Sequence, residues 1–366
     1  MMRIALAILA VTALLAGCGS SPTATSGQQQ QQQNNSATQV YDEMNSLKGK
    51  ERDDALVKAA KDEGELSLYT SNVSLQSFVD AFTKKYGIPV KVYQATSESI
   101  LQRMTQETKA NHQGADIVET NGTELTILGR GGALYPYRSE LRDKVRPEGQ
   151  LDKWTATRFN MFVVAWNTDK IHDGQQPASV EALADPRWKG RVSLEVGDTD
   201  WYATMNKYYL DKGRSQADVD KLFNALAANA KVVNGHTTQV QLLGAGQFDV
   251  AASAYSHNVE TAADDGAPIT WRPTSGKPIE PVVLRPNGAG LAANAAHPAA
   301  AVLFMDFLLS PQGQQIIADS HQLGSVLTDH DPLQGVETVT VDVPSYLDHA
   351  KDWNDRYTRL LQGASN

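Results

Sequence analysis

Residues 244–258 contain a short apolar strand that ends in polar side chains, and this stretch constrains the fold of the chain more than any other. Its apolar segment, 248–254, has the continuous hydrophobic pattern of a strand that is buried on both faces. Tyr255, Ser256 and His257 follow where that strand ends. Because ligands of open α/β sheets bind outside the carboxyl ends of the strands, these side chains are candidates for a binding site.

A similar arrangement occurs upstream, at residues 114–121. A glycine again begins the segment, Asp116 precedes two apolar residues, and Glu119 and Asn121 lie at the end of the strand. For either copy alone, the simpler interpretation is an ordinary buried strand followed by a loop. Together, two such strand ends in separate halves of the chain predict one ligand held between two lobes.

Residues 1–17 have the pattern of a secretory signal peptide. One arginine precedes the apolar run 4–15, which is too short to cross a membrane as a helix. Cys18 is the only cysteine of the chain, so no intramolecular disulfide can form. The sequence Leu-Ala-Gly-Cys at 15–18 resembles the bacterial lipobox, in which the cysteine is lipid-modified. We therefore expect Cys18 to carry a lipid anchor such as palmitate on the outer side of the cytoplasmic membrane or in the periplasm.

Residues 18–45 are rich in Gln, Ser and Thr, and glutamine is unbroken over 28–33. Such a composition buries little apolar surface, so we expect a disordered tether between the lipid and the folded domain. The remaining residues, about three hundred, are too many for one typical core and suit two lobes.

The net charge of −9 argues against nucleic acid and anionic lipid surfaces as partners. The eight histidines have no metal-motif spacing, and the chain lacks the glycine-rich signatures of nucleotide sites and the G-x-S-x-G nucleophile elbow. No resident cofactor is expected.

Short apolar runs alternate with amphipathic segments in the first half of the folded region. Strands are predicted over 65–69, 89–93 and 115–119, and helices over 54–63, 75–86, 97–109 and from 125 onward. Ser97 or Ser99 is expected to cap the third of these helices. The alternation predicts an α/β fold with mostly parallel sheets and helices on both faces.

The apolar run 159–167 predicts a strand that passes from one lobe to the other. The α/β pattern then restarts, with strands over 192–195, 231–233 and 281–284 and helices over 202–211, 216–228, 239–243 and 297–309. This order predicts a discontinuous lobe 1 of residues 46–158 and 283–310. Lobe 2 would comprise residues 159–282 and 311–366.

Three segments, 65–71, 177–191 and 297–314, resemble the extracellular solute-binding proteins of bacterial ABC importers, and the closest branch is the ferric-iron-binding one. Leu-Ala-Asp-Pro-Arg-Trp-Lys-Gly at 183–190 is the most specific part, and the resemblance covers 51–359. It implies the type II periplasmic-binding fold, hinge closure of a monomer on one solute, and delivery to the transmembrane subunits of a permease. It also implies a final helix, roughly 346–361, that packs on the second lobe. An enzyme on the same fold, using Tyr255 and His257 as an acid–base pair, and a lipid-anchored signalling protein remain alternatives.

The resemblance places Tyr255 where the ferric branch carries two adjacent tyrosines. A phenolate is a hard anionic ligand suited to Fe(III), and the metal lowers the pKa of the phenol. Ser256 stands at the second position, so Tyr255 and, after it, His257 are the candidate ligands of a transported ferric ion. Glu98 lies one residue from the expected glutamate, and Arg158 is the nearest substitute for arginines that hold a synergistic anion.

The alternative solute is a small organic anion (phosphonate, carboxylate or sulfate) or a polyamine. Backbone N–H groups at helix starts, with hydroxyls beside them, are suitable donors to an anion. The complete set of candidate ligand-binding residues is Thr70, Ser71, Ser97, Glu98, Glu119, Asn121, Arg158, Asp200, Trp201, His236, Tyr255 and His257. Ser71 and Ser97 could equally be helix caps, and Trp201 could equally be a core residue.

Overall fold

The computed structural model of the protein describes residues 37–112, 114–329 and 331–364. The predicted signal peptide, Cys18 and the tether up to residue 36 lie outside the described residues. Residues 37–46 form a helix, α1, whose buried residues Ala37, Tyr41 and Met44 belong to a hydrophobic core. The prediction of a disordered tether was therefore wrong for residues 37–45, because the spacing of these apolar residues gives one buried helical face.

The remaining elements alternate along the chain much as predicted. The strands are β1 Leu66–Thr70, β2 Val90–Gln94, β3 Ile117–Asn121, β4 Leu134–Tyr135, β5 Thr155–Asn167, β6 Val192–Glu195, β7 Ala230–Val233, β8 Val250–Tyr255, β9 Ile269–Thr270, β10 Val282–Ala292, β11 Leu323–Gly324 and β12 Thr338–Thr340. The helices are α2 Gly49–Glu63, α3 Gln76–Tyr86, α4 Ser97–Lys109, α5 Gly122–Arg130, α6 Thr199–Asp211, α7 Gln216–Asn229, α8 His236–Gly244, α9 Ser256–Asp264, α10 Pro298–Leu309, α11 Pro311–Asp319, α12 Val343–Asp348 and α13 Ala350–Ala364. None of the helices in the described part of the chain has the length and apolar character that a membrane span requires.

Local chemistry explains where the helices begin and end. The cap of α4 is Thr96, whose Oγ1 accepts a hydrogen bond from the N–H of Ser99 at 3.3 Å, so the prediction of Ser97 or Ser99 as the cap was wrong. α3 ends at Gly87, which has a φ of 75° and lies in the left-handed region that glycine adopts without strain.

One sheet runs through the molecule in the strand order β2-β1-β3-β10-β5-β8-β6-β7. β1 pairs in parallel with β2 and β3, and β6 pairs in parallel with β7 and β8. The long strands β5 and β10 lie between these two groups and pair antiparallel with each other. We call the β1–β3 group with α1–α5, α10 and α11 lobe 1, and the β6–β8 group with α6–α9, α12 and α13 lobe 2.

Each lobe has its own hydrophobic core. The core of lobe 1 is built around α10, every residue of which is buried, and includes Phe82 and Phe304 in edge-to-face contact at 5.0 Å. The core of lobe 2 contains Trp201, Phe223 and Tyr357, with Trp201 and Phe223 in edge-to-face contact at 6.0 Å.

The end of the chain differs from its predicted assignment. α11 follows α10 after Ser310 and contacts α3, and its residue Ile317 lies in the core of lobe 1. The prediction that all of 311–366 belongs to lobe 2 was therefore wrong for α11. The predicted helix over 346–361 is divided at His349 into α12 and α13, and α13 packs against α6 and α7.

Asp306→Asn is expected to lower the free energy of unfolding by about 3 kcal/mol. Asp306 on α10 binds Arg52 of α2, with Nη2 3.1 Å from Oδ1, and also accepts a hydrogen bond from Tyr137. Arg52 is only 6% exposed, so its charge would stay buried without a counter-charge. Urea denaturation measures the change.

Asp54→Asn is the matched control for this prediction. Asp54 pairs with Lys50 on α2 at 2.7 Å, but the two side chains are 67% and 86% exposed. The expected change is below about 0.5 kcal/mol, because exposed ion pairs contribute little. Equal destabilisation by the two substitutions would contradict a stabilising role for the buried pair.

Candidate functional site

The carboxyl ends of β6, β7 and β8 lie at one edge of the sheet in lobe 2. Because β6 pairs in parallel with both neighbours, the residues that follow these three strands come together at this edge. Glu195 ends β6, His236 begins α8 shortly after β7, and Tyr255 ends β8. The site that the sequence predicted at the end of β8 therefore also includes residues at the ends of β6 and β7.

Tyr255 lies in a stack of rings. Its ring centroid is 3.5 Å from that of His236 and 5.5 Å from that of His257, and both pairs are stacked. Phe162 of β5, the residue paired with Tyr255 across the sheet, has its ring centroid 5.1 Å away. Burial raises the pKa of Tyr255 well above its ordinary value, and Asp198 adds to the increase. Without a bound cation, Tyr255 is therefore a neutral phenol at pH 7.

Glu195, Asp198 and His236 form a cluster of possible metal ligands, with one ligand atom from each within 4.8 Å of the other two. His236 Nε2 lies 3.0 Å from Asp198 Oδ1 and 3.9 Å from Glu195 Oε2. The N–H groups of Gly235 and Gly197 donate to the two oxygens of Glu195 and fix its orientation. Sequence reasoning selected His236 but missed the two acids, because only the pairing of β6 with β7 brings them to it.

Arg285 of β10 lies between the two lobes and was also missed. Its guanidinium carbon is 5.1 Å from the ring centroid of Tyr255 and 5.4 Å from that of Phe162, and its Nη1 is 3.6 Å from Asp200 Oδ2. Burial acts to lower its pKa, but the nearby Tyr255 and acidic residues outweigh this and raise the pKa above its ordinary value. Arg285 is the one charged residue in the mostly apolar segment 282–292, and this is the sequence feature that could have identified it.

Lobe 1 contributes a buried ion pair at the end of β3. Arg158 of β5 binds Glu119, and Thr70 Oγ1 donates to the other carboxylate oxygen of Glu119 at 2.7 Å. Burial, and then the charge of Arg285, lower the pKa of Arg158 to about 10, which leaves it charged at pH 7. The carboxylate of Glu119 is therefore neutralised by protein groups, whereas the sequence predicted it as a direct ligand.

The other predicted residues of lobe 1 lie around this pair. Ser71 Oγ is 2.8 Å from Thr120 Oγ1, and Asn121 lies at the junction of β3 and α5. Ser97 is buried, and Glu98 beside it is exposed. Glu124 of α5 interacts with both Ser97 and Glu98, and the sequence did not indicate this residue.

Glu124 and Tyr346 complete the surroundings of Arg285. Burial, and then the charge of Glu98, raise the pKa of Glu124, and its Oε2 is buried without a hydrogen-bond partner. Burial, and then Asp200, raise the pKa of Tyr346 to about 12, so α12 also reaches the site.

Two predicted residues of lobe 2 have structural roles. Trp201 is 2% exposed and packs in the core of lobe 2, so its prediction as a ligand-stacking residue was wrong. Asp200 Oδ1 accepts a hydrogen bond from the backbone N–H of Trp201 at 2.8 Å. The other carboxylate oxygen of Asp200 faces Arg285. Asp200 therefore remains at the site while Trp201 does not.

His257 is expected to make the ligand-free protein less stable as the pH falls. Burial and a set of positive neighbours lower its pKa from an ordinary 6.5 to about 4; these neighbours are Arg158, His236, Arg285 and His321. Between these two values the unfolded chain binds more protons than the folded one, so stability is present above pH 6.5 and is lost toward pH 4. The loss attributable to this group is roughly 3 kcal/mol at most.

His257→Gln should therefore flatten the dependence of unfolding free energy on pH between 6.5 and 4. Urea denaturation across this range measures it. His172→Gln, at an exposed histidine of lobe 2, serves as the control and should leave the profile unchanged. A wild-type slope in the His257→Gln variant would contradict the burial of a neutral imidazole.

The sequence of the chain is similar to those of known bacterial binding proteins. Residues 68–315 match the family model described as bacterial extracellular solute-binding protein. The chain is 25% identical over 248 residues to the Fe(3+)-binding periplasmic protein of Serratia marcescens, which covers 66% of this chain and 72% of that protein.

Solved structures resemble most of the folded region. An iron- and citrate-bound protein of Trichodesmium has a TM-score of 0.64 at 20% identity, covering 81% of this chain and 99% of that one. The periplasmic binding protein AfuA of Actinobacillus pleuropneumoniae, with fructose-6-phosphate bound, has a TM-score of 0.63 at 21% identity, covering 82% and 99%. These likenesses confirm the predicted α/β, two-lobed type II periplasmic-binding fold.

Proposed function

The chain belongs to the bacterial extracellular solute-binding protein family, and from that premise we propose that it is the receptor of an ABC importer for ferric iron or a ferric complex. The family is one of binding proteins, in agreement with the prediction that the chain is not an enzyme. The receptor would hold its cargo between lobe 1 and lobe 2 and deliver it to the transmembrane subunits of a permease.

The observation that carries the ferric assignment is the collection of hard oxygen donors around Tyr255. Asp198 and Glu195 are 1% and 4% exposed, and both lie at the same sheet edge as Tyr255. Carboxylate and phenolate oxygens are ligands that a hard trivalent cation prefers, and a bound cation would lower the raised pKa of the phenol. The similarity to the Serratia marcescens Fe(3+)-binding protein supports the same cargo.

Addition of ferric citrate to metal-free protein tests this proposal. Coordination by the Tyr255 phenolate should produce a visible phenolate-to-iron charge-transfer band that saturates at one equivalent of iron. Closure of the lobes around the cargo should also raise the melting temperature, since a ligand that binds only the folded state stabilises it. A colourless mixture with an unchanged melting temperature would contradict ferric binding.

A small organic anion is the second candidate, and the pair of arginines supports it. Arg158 and Arg285 lie close enough for the charge of one to lower the pKa of the other, and the Nε atoms of both are buried without a hydrogen-bond partner. Two guanidinium groups form a suitable site for a phosphate or carboxylate. The likeness to a protein that has bound fructose-6-phosphate is consistent with this candidate.

Isothermal titration with fructose-6-phosphate and with ferric citrate separates the two candidates. The ferric receptor should bind ferric citrate much more tightly than the sugar phosphate. Tight binding of the sugar phosphate by iron-free protein, together with a colourless ferric mixture, would favour the organic anion.

A lipid on Cys18 is the proposed means of retaining this receptor at the membrane surface. The short apolar run before Cys18 and the polar residues after it support a lipoprotein on the outer side of the cytoplasmic membrane or in the periplasm. Wild-type protein should incorporate labelled palmitate and sediment with membranes. Cys18→Ala should do neither, and membrane retention of that variant would contradict the lipid anchor.

A further inference from the structure

The carboxyl ends of β6 and β8, with the residues that follow β6 and β7, bring together four potential ligands in lobe 2 without a contribution from lobe 1. Glu195, Asp198 and His236 lie within ligand distance of one another, and the ring of Tyr255 stacks on His236. The first three are not joined by any short sequence motif. Their convergence follows from the parallel pairing of β6 with both of its neighbours.

The spacing of the cluster fits one metal ion. Ligands about 2.1 Å from a tetrahedral ion lie about 3.4 Å from each other. His236 Nε2 is 3.0 Å from Asp198 Oδ1 and 3.9 Å from Glu195 Oε2. One of these distances is slightly shorter and the other slightly longer than the distance expected between two ligands. Small shifts of side chains would therefore bring all three to an ion.

The protein leaves polar atoms of this cluster unsatisfied. Asp198 is 1% exposed, and its Oδ2 has no hydrogen-bond partner. The Nδ1 atom of His236 is also buried without one. Buried polar atoms are nearly always paired, so the unpaired Asp198 Oδ2 beside His236 Nε2 indicates a missing ligand of the cluster, while the unpaired Nδ1 belongs to the far side of the imidazole.

The charges of the cluster suit a multivalent cation. Glu195 and Asp198 supply two negative charges, and the phenolate of Tyr255 would supply a third, equal in sum to the charge of Fe(III). In contrast, Glu119 of lobe 1 is already bound to Arg158 and Thr70. The carboxylate at the end of β3 in lobe 1 is therefore neutralised by an arginine, whereas the carboxylates of lobe 2 can neutralise a metal ion.

We propose that Glu195, Asp198 and His236, with Tyr255 beside them, form a cation site on lobe 2 that holds the cargo metal. This inference rests on the proposed function only for the identity of the cargo, ferric iron. His236, rather than His257, is the imidazole ligand. Glu195 is fixed by two backbone N–H groups and so is held ready for the ion.

Equilibrium dialysis of the full chain against ferric citrate and, separately, against cobalt(II) chloride tests the site. Wild type should take up one equivalent of either metal. His236→Gln and Asp198→Asn should each lower the affinity for both metals on the order of a hundredfold. His172→Gln, at an exposed histidine of the same lobe, should bind as wild type does.

X-ray absorption at the metal edge gives a second measurement, which reports the ligands of the wild-type complex directly and not only the affinities of variants. It should detect one imidazole ligand, and His236→Gln should lose it. Metal-free melting curves identify any variant that is unfolded before metal is added.

The outcomes separate the site from the proposed function. If wild type binds ferric iron and both His236→Gln and Asp198→Asn bind it equally well, the site is wrong while the ferric receptor stands. If wild type binds cobalt through His236 but not ferric iron, the ferric cargo is wrong while the site stands. Uptake of neither metal, or loss of the imidazole only in His257→Gln, would overturn the site.

Discussion

Tyr255→Phe is expected to abolish the visible absorption of the ferric complex and to lower the affinity for ferric iron by roughly a hundredfold, about 3 kcal/mol. The substitution keeps the ring that stacks on His236 at 3.5 Å and on His257 at 5.5 Å. It removes only the oxygen, so the loss reports ligation rather than packing. For a neutral solute the same change would cost about 0.5–1.5 kcal/mol, the value of one hydrogen bond.

Tyr208→Phe is the control for this prediction, because Tyr208 is a partly buried tyrosine of α6 in lobe 2 outside the candidate site. Its ferric absorption and affinity should equal those of wild type. Absorbance titration with ferric citrate measures both quantities. A Tyr255→Phe protein that retains the band would show that Tyr255 is not a ligand.

Gly288→Ala is expected to destabilise the protein by at least about 3 kcal/mol or to prevent folding. A β-carbon at Gly288 would lie 2.1 Å from the carbonyl oxygen of Thr155 and 2.6 Å from the Cα of Ala156. Both are backbone atoms of β5, and the register of β5 and β10 shifts between Asn287 and Gly288. Relief of the clash would move one of the two central strands that join the lobes.

Gly363→Ala is the matched control for Gly288→Ala. Gly363 lies in α13, and a β-carbon at this position would have no atom within 4 Å, so alanine should be neutral or stabilising by up to about 1 kcal/mol, as expected for its helix propensity. Thermal unfolding of the two variants measures the contrast. A Gly288→Ala protein that melts with wild type would contradict the close approach of β10 to β5.

Local sequence signals were sufficient to locate many of the elements. The prediction of a helix over 97–109 and of a strand over 192–195 agrees residue for residue with α4 and β6. Amphipathic spacing and apolar runs are properties of consecutive residues, so they can be identified without knowledge of tertiary contacts. The helix over 37–46 escaped detection because its four apolar residues lie next to a long polar tract.

The candidate site was harder to predict because its residues meet only through the fold. Tyr255 and His236 were selected from their positions at strand and helix ends, a rule that holds for parallel sheets. Glu195 and Asp198 carry no motif, and Arg285 comes from a strand distant in sequence. Trp201 has the same local pattern whether it faces the core or a ligand, and tertiary packing alone places it in the core.

The most direct measurement is anomalous diffraction at the iron edge from crystals of the ferric complex. A single iron peak at the ends of β6, β7 and β8, within ligand distance of the Tyr255 oxygen and the His236 imidazole, is the predicted result. An iron peak outside this edge of the sheet, or no bound iron at saturating ferric citrate, would contradict a ferric site on lobe 2.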